Sequence, residues 1–159
     1  MTNDETLSIT VLNSWKLIIS RFDKTLGDLT DDELQHQIAP GKNRVFYLLG
    51  HLTAVHDRMI PLLGLGERLH PELDDTYITN SDRVLEDPLS ATELRRAWAE
   101  VNRKLTTAFA EFTLQDWLQK HEAVSEDDFV RDPSRNRLAL VMNRTNHASY
   151  HSGQATLAK

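Results

Sequence analysis

Arg144-Thr-Asn-His147-Ala-Ser-Tyr150-His151-Ser-Gly-Gln154 sets two histidines four residues apart. On an α-helix that spacing puts both imidazoles on one face, one turn apart. Such a pair can grip a divalent metal through nitrogens about 2.0–2.1 Å away. Two ligands do not complete a site, so a third must come from another segment. Two histidines capping a bundle core would show the same spacing. The rest of the chain has to decide between these readings.

Outward from this stretch the pattern is helical. Asp132-Pro133-Ser134 stops what precedes it and opens a last helix from about Ser134. Residues 122–132 are acidic and read as loop, with room for a short extended piece. Ser90-Ala-Thr-Glu93 is a capping box, a hydroxyl followed three residues later by a carboxylate. It opens a helix to about Phe112, with Leu94, Ala97, Trp98, Val101, Leu105 and Ala108 inward, and Thr113–Trp117 reads as a short helical turn. A second helix is expected from Asn43 or Arg44 to Leu63, with Asn43 as its cap. Its apolar face holds Val45, Leu48, Leu49, Leu52, Val55, Met59, Leu62 and Leu63; Pro61 is placed to kink its last turn, and Gly64 and Gly66 end it. The first helix runs from about Asn3, capped by Asn3-Asp4-Glu5, to Leu26. Its stripe is Leu7, Val11, Trp15, Ile18, Ile19 and Phe22, and Gly27 stops it. Thr30-Asp-Asp-Glu33 is another capping box, cut short by the breakers Ala39-Pro-Gly-Lys-Asn43. Residues 67–89 hold turn residues without lasting periodicity. So long a connection is a lid or binding loop, or a solvated acidic connector. Four long helices joined by unequal connections, the longest between the second and third, describe an all-α four-helix bundle.

Composition bounds the function. The chain has 159 residues, 40% hydrophobic and 26% charged, as a single soluble domain over 1–159 would. A net charge of −6 argues against a nucleic-acid partner, which needs a basic face. No apolar run approaches the ~20 residues of a membrane span. The acidic N-terminus lacks the order of a signal peptide. With no cysteine, disulfides, thiolate zinc sites and a cysteine nucleophile are excluded. A cytoplasmic location is the expectation.

Subtraction narrows the chemistry. Six glycines form no phosphate-cradling motif, and Ser152-Gly153 lacks the preceding glycine of a nucleophile elbow. No glutamate stands three residues before His147 or His151, which argues against a carboxylate-bridged di-metal centre. Histidine remains. His36, His70 and His121 lie in polar, turn-rich segments and read as exposed. His51, His56, His147 and His151 lie in apolar helical stretches. Periodicity places His56 near the middle of the second helix's stripe and His51 at its flank, so His56 should be the more buried. Three neutral imidazoles plus one open position is the layout of a catalytic metal centre. The open position would take water or a substrate sulfur or oxygen.

Ala39-Pro-Gly-Lys-Asn43, Leu48-Leu-Gly-His51-Leu52 and Asn146-His147-Ala-Ser-Tyr150-His151-Ser-Gly-Gln154 resemble the DinB-like family, which includes bacillithiol- and mycothiol-dependent transferases. Leu29-Thr-Asp-Asp-Glu-Leu34 fits the same layout, so the resemblance spans nearly the whole chain. It implies an up-down-down-up four-helix bundle, commonly a homodimer, with one divalent metal held by three histidines. By position these are His51, His147 and His151. His56 is the alternative ligand, or a residue that orients one. Asn146, Tyr150 and Gln154 are further candidates to support the ligands.

The resemblance implies a metal-dependent enzyme, with zinc or nickel activating a low-molecular-weight thiol for S-transfer or isomerisation of a small-molecule electrophile. Hydrolysis is the enzymatic alternative, and a non-enzymatic metal- or ligand-binding bundle with a stress-related role is the other. Arg44, Arg58 and Arg144 lie near enough to receive carboxylates of a substrate, and read equally well as surface charge.

Overall fold

The computed structural model describes residues 1–158. Four long helices form the bundle: α1 Asn3–Gly27, α2 Val45–Leu62, α3 Ala91–Glu111 and, after short α4 Leu114–Leu118 and α5 Glu126–Arg131, α6 Arg137–Ala155. The topology is that of the DinB-like bundle. Helix α1 packs on α6 and α3, and α2 packs on α3 and α6. Among the described residues there is no strand, only two isolated bridges, Gln37 to Arg44 and Lys120 to Asn136. No described helix is long and apolar enough to cross a membrane.

Local chemistry explains the boundaries and corrects several expected ones. Helix α1 is capped by Thr2, whose hydroxyl accepts from the Glu5 amide while Glu5 reaches back to the Thr2 amide, so Asn3 lies inside the helix. Leu7 is exposed, and the buried stripe begins at Trp15. Gly27 stays helical, and Asp28 closes the helix with its main-chain amide on Lys24 and Leu26. Thr30 and Glu33 do form a reciprocal box, but it opens only the single turn Glu33–Gln35. Helix α3 starts at the expected Ser90–Glu93 box. The stretch expected as loop contains α5, because Ser125 accepts from the Asp128 amide and three acidic residues occupy its first turn, where the helix dipole favours them. Asp132-Pro-Ser134 forms a turn, with the Ser134 amide on the Asp132 carboxylate. Asn136 caps α6 three residues later than expected.

The core fills both halves of the bundle. Phe22, Leu48, Leu49, Leu52, Tyr77 and Ala148 pack one half; Trp15, Met59, Val101, Phe109, Trp117 and Val141 pack the other. The tryptophans are buried core residues. Trp15 donates to Thr106 and Trp98 to Asp23, which satisfies these two indole N–H groups, whereas that of Trp117 is buried without a partner.

Residues 67–89 lie against α2, pinned at both ends, with residues 83–86 exposed. A turn at Pro71–Leu73 and a π-helical turn at Asp75–Thr79 carry the chain across α2. Both ends are tied to α2 by charge. Asp57, 0% exposed, accepts from the Arg68 guanidinium and from the amides of Leu69 and His70. At the other end Arg44 donates to Asp82, Asp87 and Gln35, and Asp82 also takes the Arg44 main-chain amide. Asn43, the expected cap of α2, plays no such part: Arg44 holds the cap position. Between the anchors Tyr77 is buried flat on Gly50, where an added Cβ would lie 2.6 Å from its ring. Glycine at position 50 therefore lets the connection lie against α2 one residue before His51.

Candidate metal centre

Helix α2 delivers His51 to α6, which carries His147 and His151. One nitrogen from each ring lies within 4.8 Å of the others. The converging atoms are the Nε2 nitrogens: His147 to His151 is 3.0 Å and His51 to His147 is 3.2 Å. Ligands about 2.0–2.1 Å from a common ion stand roughly 2.9 Å apart at right angles and roughly 3.3 Å apart at the tetrahedral angle. Both distances fall in that range.

The outer nitrogens decide which atoms face inward. His51 Nδ1 lies 2.7 Å from the main-chain oxygen of Tyr77, which can only accept, so Nδ1 carries the proton. His151 Nδ1 lies 2.7 Å from Gln154 Oε1, and the Gln154 amide nitrogen donates to the Tyr150 hydroxyl. Both rings in their neutral form thus aim a bare Nε2 lone pair at His147. Outer partners of this kind fix tautomer and orientation in metal-ligating histidines. Burial pushes all three imidazoles below their ordinary range, His147 to about 4, with its histidine neighbours and Arg144 adding to the shift. At pH 7 the site is a set of neutral donors. His147 Nδ1 has no partner, so in the metal-free chain the His147 Nε2–H can donate to one of these lone pairs; a divalent cation that replaces that proton would be held by all three nitrogens. The donor set suits such an ion; all-nitrogen donors with no carboxylate leave its charge uncompensated by the ligands.

The remaining candidates fall elsewhere. His56 is fully buried and is not part of the cluster. Its Nδ1 donates to Asn102 Oδ1 at 2.7 Å, its ring lies between Trp15 and Trp98, and its Nε2 has no partner. Burial drives its pKa down to about 3. The stripe reading was therefore right about burial at His56, and a stripe-flank position is what lets His51 reach α6. Of the three residues near the pair, Gln154 supports His151 directly, and Tyr150 supports Gln154 from an exposed position. Asn146 is exposed on the α1 side of α6, in a groove with Val11, Ser14 and Met142. His36 is exposed, as expected, whereas His70 and His121 are half-buried. His70 sits between Glu72 and Glu100.

Sequence reasoning missed the Tyr77 carbonyl. The only signal was Tyr77-Ile78, an apolar pair inside a polar connection, and a main-chain acceptor leaves no side-chain signature. Of the three nearby arginines, Arg44 is consumed by Asp82 and Asp87 and Arg58 pairs with Asp74 at 2.7 Å. Arg144 has no carboxylate partner among the described residues. Its one side-chain hydrogen bond, to Asn143, is 3.4 Å long, and its Nε is buried without a partner.

Comparison with known proteins agrees with this architecture. The chain is similar to the crystal structure of a conserved protein from Enterococcus faecalis, with a TM-score of 0.66 and 17% identity over 99% of this chain and 96% of that one. Identity this low speaks for the fold alone. No curated protein sequence matches the chain. The family model of the DinB superfamily matches residues 15–155, from Trp15 in α1 to the last residue of α6. By sequence and by fold, this chain belongs to the DinB superfamily.

Proposed function

We propose that the protein is a metal-dependent enzyme that uses one divalent ion, zinc or nickel, on His51, His147 and His151. The reaction is S-transfer to, or isomerisation of, a small electrophile by a low-molecular-weight thiol. The observation that carries this reading is the convergence of three Nε2 atoms while hydrogen bonds to Tyr77 and Gln154 hold the Nδ1 protons of two of the rings outside. Imidazole donors suit both metals. When bound, the ion supplies Lewis acidity that lowers the pKa of a thiol and fixes its sulfur.

The chain's own residues do the rest. Three protein donors leave a position for substrate, whereas a purely structural site closes with four. His51 and His151 are held rigidly, one by a main-chain carbonyl and one by an amide side chain. The cluster lies partly buried, which strengthens electrostatic interactions with any bound anion. Assembly as a homodimer, which rests on the family resemblance, and a cytoplasmic location, which rests on the composition, belong to the same reading.

Metal analysis of untagged protein tests the first half. One equivalent of zinc or nickel is expected in the wild type and far less than one in His151→Ala; full metal content in the variant would overturn the site. The second half is tested by assay with a panel of small thiols and an electrophile. Turnover that needs both metal and thiol is expected. Metal-dependent hydrolysis without thiol would instead make the protein a hydrolase.

A further inference from the structure

His70 stands near the start of the connection between α2 and α3, and it touches both helices. Its main-chain amide donates to Asp57 on α2. Its ring reaches the other way. Nδ1 lies 3.1 Å from Glu72 Oε1 in the turn that follows, and Nε2 lies 3.1 Å from Glu100 Oε2 on α3. The ring is half-buried, and both carboxylates are partly exposed. Each ring nitrogen therefore faces a different carboxylate, one on the connection and one on the helix.

The other charged groups around this point are directed elsewhere. Arg68 pairs with Asp57 and Asp74, and Arg58 on α2 pairs with Asp74. On α3, Arg103 and Lys104 line a cavity with Glu100 and Leu69. Among the described residues, neither Glu72 nor Glu100 pairs with a lysine or an arginine. Hydrogen-bond counting then makes the bridge conditional. A neutral imidazole has one N–H, its other nitrogen is an acceptor, and carboxylate oxygens only accept. With a neutral ring, one carboxylate meets an N–H and the other meets a lone pair. With both nitrogens protonated, both carboxylates meet donors and the two contacts are charge-assisted.

We propose that His70 is an acid-strengthened tether between the connection and α3, complete when its ring carries two protons and reduced to one contact when it carries one. The stability it supplies is present in full in acid and partly lost as pH rises. That sign is opposite to the one at His56, where burial favours the neutral ring. The anchors on α2 rest on the guanidinium groups of Arg44 and Arg68, which keep their charge. Acid thus adds a hold on α3 to a connection already held on α2. The inference needs no metal and stands apart from the functional reading above.

Double-mutant cycles in the full chain test it, because a cycle cancels every titration that its variants share. Wild type, His70→Ala, Glu100→Ala and the double variant are unfolded in urea at about pH 8 and about pH 5.5, on either side of the ordinary histidine value. The coupling of His70 to Glu100 is read as a factor in the unfolding constant. It should be about threefold larger at the acid pH, the scale of one partly exposed ion pair. The matching cycle with Glu72→Ala should rise in the same way. A cycle built on His70→Gln, which keeps bulk but takes no charge, should show the same rise and guards against lost packing in His70→Ala. Coupling to either carboxylate that stays constant or weakens in acid would overturn the tether.

Discussion

Arg44 and His51 stand two turns apart along α2, and the same connection reaches over both. Their surroundings are opposites. The Arg44 guanidinium meets two carboxylates and an amide oxygen, so every strong partner it needs is protein. His51 has one such partner, the Tyr77 carbonyl, and its other nitrogen is aimed at another imidazole nitrogen. Polar groups whose partners are complementary hold a fold together. Three imidazole nitrogens that face one another can share at most one proton between two of them, and the lone pair left over is free for a ligand. The first kind here is structural and the second is chemical, and residues 67–89 serve both by lending Asp82 and Asp87 to one and Tyr77 to the other.

Breaking the charge clamp should cost most. Arg44→Ala leaves Asp82 buried and unpaired, with an expected loss of about 3–5 kcal/mol and a fall in Tm of roughly 10 °C in a chain of this size. Urea unfolding measures it, and a change below 1 kcal/mol would mean that the clamp and the site do not differ in this way. His151→Ala should do the reverse. Metal affinity should drop by about a thousandfold or more, since structural zinc binding of about 10–16 kcal/mol is shared among few ligands. Stability of the metal-free protein should move by no more than about 1 kcal/mol. Calorimetric titration and urea unfolding on the same variant give both numbers.

Gln154→Ala sharpens the contrast, because it leaves all three ligands and removes only the partner of His151 Nδ1. A loss of roughly 10–100-fold in metal affinity is expected, read by competition with a chelator. Gly50→Ala touches both regions at once. The new Cβ must displace Tyr77, at a cost of about 1–3 kcal/mol, and the carbonyl that orients His51 should move with it. Weaker metal binding alongside lower stability is the expected pair; loss of stability alone would show that the Tyr77 ring and its carbonyl act separately.

Acid should act most gradually, spread over several pH units. His56 titrates near its ordinary value of about 6.5 in the unfolded chain and at about 3 in the folded one. Below pH 6.5 the unfolded state takes a proton that the folded state refuses. Stability therefore falls as pH drops, by up to about 1.4 kcal/mol per unit for this one group, and levels off near pH 3. His56→Leu should flatten the metal-free profile between pH 6.5 and 5, as followed by urea unfolding; an unchanged slope would assign the acid sensitivity to other groups.

Much of the bundle was legible because helices advertise themselves locally. The Ser90–Glu93 box, the apolar stripes and the glycine stops at Gly64 and Gly66 are short-range signals. Errors came where a local signal had several solutions. Asp132-Pro-Ser134 makes a turn where a helix start was expected, and the acidic stretch read as loop folds into α5. The site was half legible. The His147–His151 spacing is a helical period, so sequence sufficed to put the two rings on one face.

Sequence by itself determined the four helices, the paired imidazoles and the exclusion of cysteine chemistry, because each depends on residue type and on periods of a few residues. Periodicity left His51 and His56 open and only the family resemblance favoured His51; the tertiary structure brings His51 to that pair, lends it the Tyr77 carbonyl, and spends Arg44 while Arg144 has no carboxylate partner among the described residues. Those outcomes depend on which faces of α2 and α6 oppose each other and on where a long connection is pinned. Contacts between residues far apart in the chain fix both, and no local pattern records them.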